Sequence, residues 1–277
     1  MKTNSYQAAP LDVDEDQTLL QVERGMPVRL IATFEGLTTT TPDEPAISAS
    51  NNANAHRFDY LPVRQSENGP IIGIFSSSMS QSIGANHNVE QVYDRLGPDD
   101  LISAETSLLQ FVWSAEEQPR RLVLEGTDIR GIVTLSDIQK LPVRISLFSL
   151  FIHFELLLTE HLRHILRDRS PIEFVSPGRR GLVQEKWHEF TSNQMEQDIF
   201  SAMDICDKRD VAKKLNILGK SATSIQNSIT GIERDLRNPI AHGSDYAISR
   251  EAAVKAIRAA RATRDWIADL RKARRIA

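Results

Sequence analysis

With one cysteine, Cys206, in 277 residues, the chain cannot build an intrachain disulfide framework or a cysteine-based zinc site. That usage fits a reducing cytosol, and Cys206 reads as a small hydrophobe on a helix. A long apolar run is missing as well. The most apolar stretch, Ile145 to Leu158, is short and carries His153 and Glu155, so no membrane span is expected and a cytoplasmic location is. Residues 1–17 are polar and acidic rather than basic then apolar, so no secretory leader is expected.

What is present is ordinary for a globular protein: 40% apolar and 25% charged residues, and a length that accommodates about two domains. The net charge of −4 hides an asymmetry. Asp12, Asp14, Glu15 and Asp16 crowd the start, whereas residues 250–277 carry nine arginines and lysines against three acidic residues. A basic final element in an acidic protein points to a polyanion partner, with Arg258, Arg261 and Arg264 as candidate contacts; a solvated helix face is the alternative.

Residues 1–20 read as an acidic, arm-like N-terminus. Residues 21–140 read as an α/β module built twice. Val28 to Ala32 is a strand candidate, and Leu37 to Asn54 a long loop or weak helix. Phe58 to Arg64 and Ile71 to Ser76 flank Glu67-Asn68-Gly69 as a hairpin. The plan then recurs: a short helix over Val92 to Leu96, a strand at Leu101 to Ser103, a helix over Thr106 to Ser114, and a second hairpin of Arg121 to Leu124 and Ile129 to Thr134. A short helix from Ser136 follows. The hairpins align on Gly73 and Gly131, which marks an internal repeat.

The segment Ile129-Arg130-Gly131-Ile132-Val133-Thr134-Leu135-Ser136-Asp137-Ile138 resembles the closing strand and helix of a CBS domain, and Gly69 to Ser76 resembles the same part of a first copy. Two copies imply a Bateman module. In that family Gly-x-x-(Thr/Ser)-x-x-Asp lies at an adenine-nucleotide site, so the resemblance implies an AMP- or ATP-type regulatory ligand near Gly131, Thr134, Asp137 and Ile102. The chemistry is sound on its own terms: a carboxylate accepts from two vicinal hydroxyls, and helix N–H groups face phosphate. The first copy keeps Gly73 and Ser76 but has Met79 where the aspartate belongs. Asp137 also suits a helix N-cap with no ligand at all.

Residues 143–277 read as four main helices: Val143 to Arg167, Val183 to Asp207, Ser221 to Leu236, and Ser249 to Arg275 with Ser249 as N-cap. The first is apolar nearly all round, which serves a bundle core on one face and a dimer interface on another. Between the last two lies Arg237-Asn238-Pro239-Ile240-Ala241-His242-Gly243, a corner in which Pro239 is expected to stop the incoming helix. The same residues fit plain punctuation, with Arg237 capping a helix and His242 bonding to backbone.

A four-helix bundle with Arg-Asn-x-x-x-His before its last helix resembles the HEPN superfamily. The fold expectation is therefore an α+β tandem CBS module followed by an all-α HEPN bundle. The resemblance implies a homodimeric or higher-order endoribonuclease that needs no metal or catalytic cofactor. Arg237, Asn238 and His242 would carry the chemistry, and the products would be a 2′,3′-cyclic phosphate and a 5′-hydroxyl. A stress- or defence-type effector, toxin-like, fits the nucleotide sensor joined to it. The competing readings are a non-catalytic RNA-binding or dimerisation bundle and an adapter for an antitoxin or nucleotidyltransferase partner. His153, His161 and His164 read as interface or surface groups.

Overall fold

The computed structural model describes residues 13–78, 87–167, 169–192 and 198–276, with the side chains of 13–16 and 276 outside that description. Met79 lies outside the described residues. The chain divides into two compact units. One is Met26–Ile138; the other is formed by Gln139 onward together with helix α1, Val13–Gly25.

The α/β unit is a reciprocal exchange between two copies. Helix α2 (Ala46–Ala55) leads into β1 (Tyr60–Arg64) and β2 (Ile71–Ser76), an antiparallel hairpin. Strand β3 (Asp94–Arg95) then pairs with β2. In the second copy, β4 (Leu101–Ser103) runs parallel to β5 (Arg120–Glu125), with α3 (Leu108–Ser114) between them, and β5 pairs antiparallel with β6 (Asp128–Thr134). Each hairpin borrows its outer partner from the segment leading into the other copy. Asp94 pairs with Ile74, and Thr33 bridges Ile132. The helix starts repeat the pattern: Pro27 bridges Ser107, and Asn88 bridges Pro45.

This exchange revises two sequence expectations. Val28–Leu30 is a 3-10 turn rather than a strand, and Val89–Gln91 is its counterpart, followed by strand β3 where a helix was expected. Val28 and Ile31 are fully buried. Burial, rather than sheet pairing, is what their apolar character serves. The two aligned glycines are also explained. A Cβ on Gly73 would sit 2.2 Å from Tyr93 and 2.5 Å from the Asp94 carbonyl; one on Gly131 would sit 2.7 Å from the Thr33 carbonyl. Both positions lie where the borrowed segment crosses the strand, and only glycine leaves room. Gly73→Ala is expected to destabilise the protein by about 1–3 kcal/mol, read as a lower urea midpoint at unchanged slope. A seam of Ile71, Ile74, Leu122 and Ile132 joins the two copies.

The second unit is organised around α4 (Leu141–Leu166), whose Val143, Leu147, Leu150, Phe154, Leu158 and Leu162 are buried. The helix is long and apolar enough to cross a membrane by length and composition, with mean hydropathy 1.7 over 18 residues, and half of that window is buried. It packs against α1, α6 (Ile205–Lys214) and α9 (Arg250–Ile276). Helix α1 occupies ground where the sequence reading placed an arm; Leu19 is buried, so its apolar side has a partner. The second expected helix is broken. It comprises α5 (Pro177–Ser192), a 3-10 turn at Ile199–Ala202, and α6, which opens with a capping box between Asp204 and Asp207.

Helix α7 (Ala222–Ile232) has Ser221 as N-cap, its side chain accepting from Ser224 N–H at 3.2 Å. Pro239 does not stop the helix that follows. Glu233–Arg237 is a π-turn in which Asn238 N–H donates to the Glu233 carbonyl, and α8 (Asn238–Ala241) continues from it. The extra residue of the π-turn absorbs the bond that a proline cannot make, so Pro239 sits in the first turn of a new segment.

Candidate functional site

The first candidate site is the helix end that carries the Arg-Asn-x-x-x-His pattern. Three backbone bonds shape it. His242 N–H donates to Asn238 O at 3.1 Å, Gly243 N–H to Ile240 O at 3.4 Å, and Ser244 N–H to Pro239 O at 3.0 Å. With Gly243 at φ +66, this is a Schellman motif with His242 as the C-cap residue. Glycine is required there because the left-handed conformation penalises a Cβ. Asn238 and His242 therefore stand one helical turn apart. The Asn238 side-chain oxygen accepts from Arg237 Nη1 at 3.0 Å. Arg237 and Asn238 are half-buried and His242 is exposed. The structure thus joins Arg237 to Asn238 directly and sets His242 on the rim. The cap is closed by backbone groups and Gly243 rather than by Arg237.

Neighbouring ionic groups hold this corner. Arg209 reaches the Glu233 carboxylate at 3.3 Å and the Thr230 hydroxyl at 3.1 Å, bracing the π-turn from α6. Of the first-helix groups considered from sequence, Glu155 pairs with Lys208 at 2.7 Å and Glu160 with Arg274 at 3.5 Å. His153 is buried, with Nε2 3.2 Å from Arg271 Nη2. Burial and the neighbouring His164 depress the His161 pKa. Arg258, Arg261 and Arg264 recur every three residues on α9; Arg258 and Arg264 are exposed and Arg261 half-buried, and each has partners within the protein.

The second candidate site is a cleft of about 280 Å³ inside the α/β unit, near the lower end of ligand pockets at roughly 300 Å³. Thr134 and Asp137 line it, as does Ser136; Gly131 and Ile102 are not among its lining residues. Gly131 serves the strand crossing, and Ile102 is buried on β4. Asp137 Oδ2 accepts from Thr134 N–H at 2.6 Å and from Thr134 Oγ1 at 3.1 Å, and Thr134 Oγ1 lies 2.8 Å from Ser136 Oγ. The carboxylate is thereby fixed at the start of the 3-10 turn Leu135–Gln139. The facing wall comes from the first copy: Thr33, Leu37, Arg57, Phe58 and Tyr60. Arg120 stacks over the Tyr60 ring at 5.0 Å and pairs with Asp94 at 2.7 Å, which holds that ring in place. These wall residues were not singled out from sequence. Thr33 reaches the cleft only through strand exchange, and Arg57 through a left-handed turn at φ 59.

Asp204, Cys206 and Asp207 bring ligand atoms within 4.8 Å of one another. Their charge is already met. Arg179 donates from Nε and Nη2 to Asp207 at 2.9 and 2.8 Å and from Nη2 to Asp204 at 2.5 Å. Burial and Asp207 push the Cys206 thiol up, which disfavours the thiolate that a metal would need.

Comparison with known proteins places these observations in context. No family model matches the chain, and no curated protein does. The solved structures it resembles include CBS-domain proteins. One is the CBS domain of a bacterial CNNM/CorC-family Mg2+ transporter in complex with ATP, at 15% identity, 48% of this chain, 97% of that one and TM-score 0.39. Another is a CBS-domain-containing protein of unknown function from Bacillus anthracis, at 16% identity, 44% and 96% coverage and TM-score 0.39. An uncharacterised conserved protein from Pyrococcus horikoshii matches at 23% identity, 42% and 90% coverage and TM-score 0.36.

Proposed function

We propose that the chain is a nucleotide-gated endoribonuclease: a tandem CBS pair, with an adenine-type mononucleotide in its cleft, joined to a HEPN-type bundle that acts as a homodimer. The observation that carries the nuclease reading is the Schellman-closed helix end, which holds Asn238 and His242 one turn apart with Arg237 bonded to Asn238. RNA supplies its own nucleophile. His242 takes the proton from the ribose 2′-hydroxyl as the O2′–P bond forms and the P–O5′ bond breaks, and the departing 5′-oxygen receives a proton. Arg237 faces the charge that grows on the equatorial phosphoryl oxygens, while Asn238 orients its guanidinium. No step calls for a metal ion. The full-length protein is expected to cut single-stranded RNA in EDTA and to leave 2′,3′-cyclic phosphate ends. Products with 3′-hydroxyl ends would refute this chemistry.

The nucleotide reading rests on the Thr134/Asp137 pair lining a cleft of about 280 Å³. The ribose hydroxyls bind at Asp137, and Arg57 offers a cation for phosphate. The second copy of the chain is assigned to the face of α4 on which Ile145, Phe148, Ile152 and Leu156 remain exposed. Such an apolar row marks an interaction surface. Phe148→Glu is expected to shift the protein from dimer to monomer in light scattering. A dimer unaffected by this charge would move the interface elsewhere.

The exposure of the His242 ring favours a second reading, in which the bundle binds RNA without cutting it. Arg237→Ala would then weaken RNA binding, and intact RNA would be recovered from every variant.

A further inference from the structure

Arg144, in the first turn of α4, grips two backbone segments at once. Its Nε donates to the Gln139 carbonyl at 3.1 Å, and its Nη2 donates to the Ser244 carbonyl at 2.8 Å. Asp245 lies 3.7 Å from Nη2, and the guanidinium stacks over the Tyr246 ring at 4.8 Å. The side chain is only 16% exposed, and its Nη1 is buried with no hydrogen-bond partner among the described residues. Tyr246 is itself buried, which pushes its phenol pKa up.

Neither carbonyl is an arbitrary choice. Gln139 ends the 3-10 turn that contains Asp137. Ser244 is the residue whose N–H closes the helix end that carries His242. We propose that Arg144 is a positioning residue that couples the Asp137 turn to the His242 corner. The planar fork fixes the angle between Nε and Nη2. A displacement of Gln139 therefore forces the guanidinium either to follow, pulling Ser244, or to release it. A group that takes Asp137 Oδ2 competes with Thr134 N–H for that oxygen, and this competition is the event that displaces the turn. The use made of this coupling depends on the nucleotide-gated reading. The coupling itself is measurable without ligand or RNA.

The test is amide hydrogen exchange on the full-length protein, comparing the native chain, Asp137→Ala, Arg144→Met and the double variant. Asp137→Ala is expected to speed exchange over Ser244 to Ala247 by about fivefold or more. Arg144→Met should speed the same amides, and the double variant should go no further. Amides of mid-α9 serve as the control, because a merely structural defect would loosen them too. Arg144→Lys keeps the charge and guards against a misfolded methionine variant. It is expected to lose the coupling, since an ammonium lacks the fork. The proposal falls if Asp137→Ala leaves Ser244 to Ala247 unchanged, if its effect is the same without Arg144, or if lysine preserves it. None of these outcomes depends on RNA cleavage, so failure of the nuclease reading is a separate result.

Discussion

His242→Ala is expected to lower the rate of RNA cleavage by about 10²–10⁴-fold, the usual contribution of a placed general acid–base. The protein should remain folded, because the His242 ring is exposed and the corner is held by backbone bonds to Asn238, Ile240 and Pro239 rather than by that ring. Arg237→Ala should cost about 10²–10³-fold through lost charge stabilisation. Arg237→Lys should recover only part of that, because the ammonium cannot grip Asn238 and phosphate with one rigid plane. The measurement is single-turnover cleavage of an end-labelled RNA, with thermal unfolding run on the same samples. Undiminished cleavage by His242→Ala would remove the nuclease assignment. Loss of cleavage accompanied by a large drop in melting temperature would assign His242 to the fold instead.

ATP and AMP are expected to raise the melting temperature of the native protein. At a hundredfold excess over Kd the gain is about 2.7 kcal/mol. Asp137→Ala should weaken that binding by roughly 10–100-fold, since a hydrogen bond to a charged group contributes about 1.5–3 kcal/mol. The same change also strips Thr134 N–H of its acceptor, so the apo melting temperature should fall. Calorimetric titration separates the two effects by measuring affinity directly. Thr134→Val provides a second variant, removing the hydroxyl while keeping the carboxylate. An unaltered affinity in Asp137→Ala would place any nucleotide outside this cleft.

The hairpins at Tyr60 to Ser76 and Arg120 to Thr134 were legible because alternation and turn residues are local signals. The bundle helices were legible where apolar residues run nearly all round, as along α4, or recur as a stripe, as along α9. Pro239 misled because its effect depends on what precedes it. A π-turn at Glu233–Arg237 carries no distinctive residue pattern, yet it makes the proline tolerable. The strand expected at Val28 was misplaced because a buried valine reads alike in a strand and in a 3-10 turn. Thr134 and Asp137 were singled out through the resemblance to the CBS motif, and the two line one cleft. Their opposite wall, Arg57 to Tyr60 with Thr33, was hidden because pairing between distant segments creates it. The corner itself was visible, but its Schellman closure is set by backbone geometry that no residue pattern spells out.

The exchange between the two α/β copies sets an order on how the protein is made. During synthesis, Val28 and Ile31 leave the ribosome long before Thr106 and Leu108, to whose backbone their neighbourhood is bonded. That segment therefore waits, with Val28 and Ile31 uncovered, until the second copy is under way, whereas the core of Ala46, Ala49, Ala53, Leu61, Val63, Phe75 and Val89 draws only on residues made before it. Contacts of such sequence separation close late and slowly. A ribosome stalled at the start of the second copy would hold the Val28–Ile31 segment without its partner, and a fragment ending after β2 would leave that strand's outer edge open to any strand nearby.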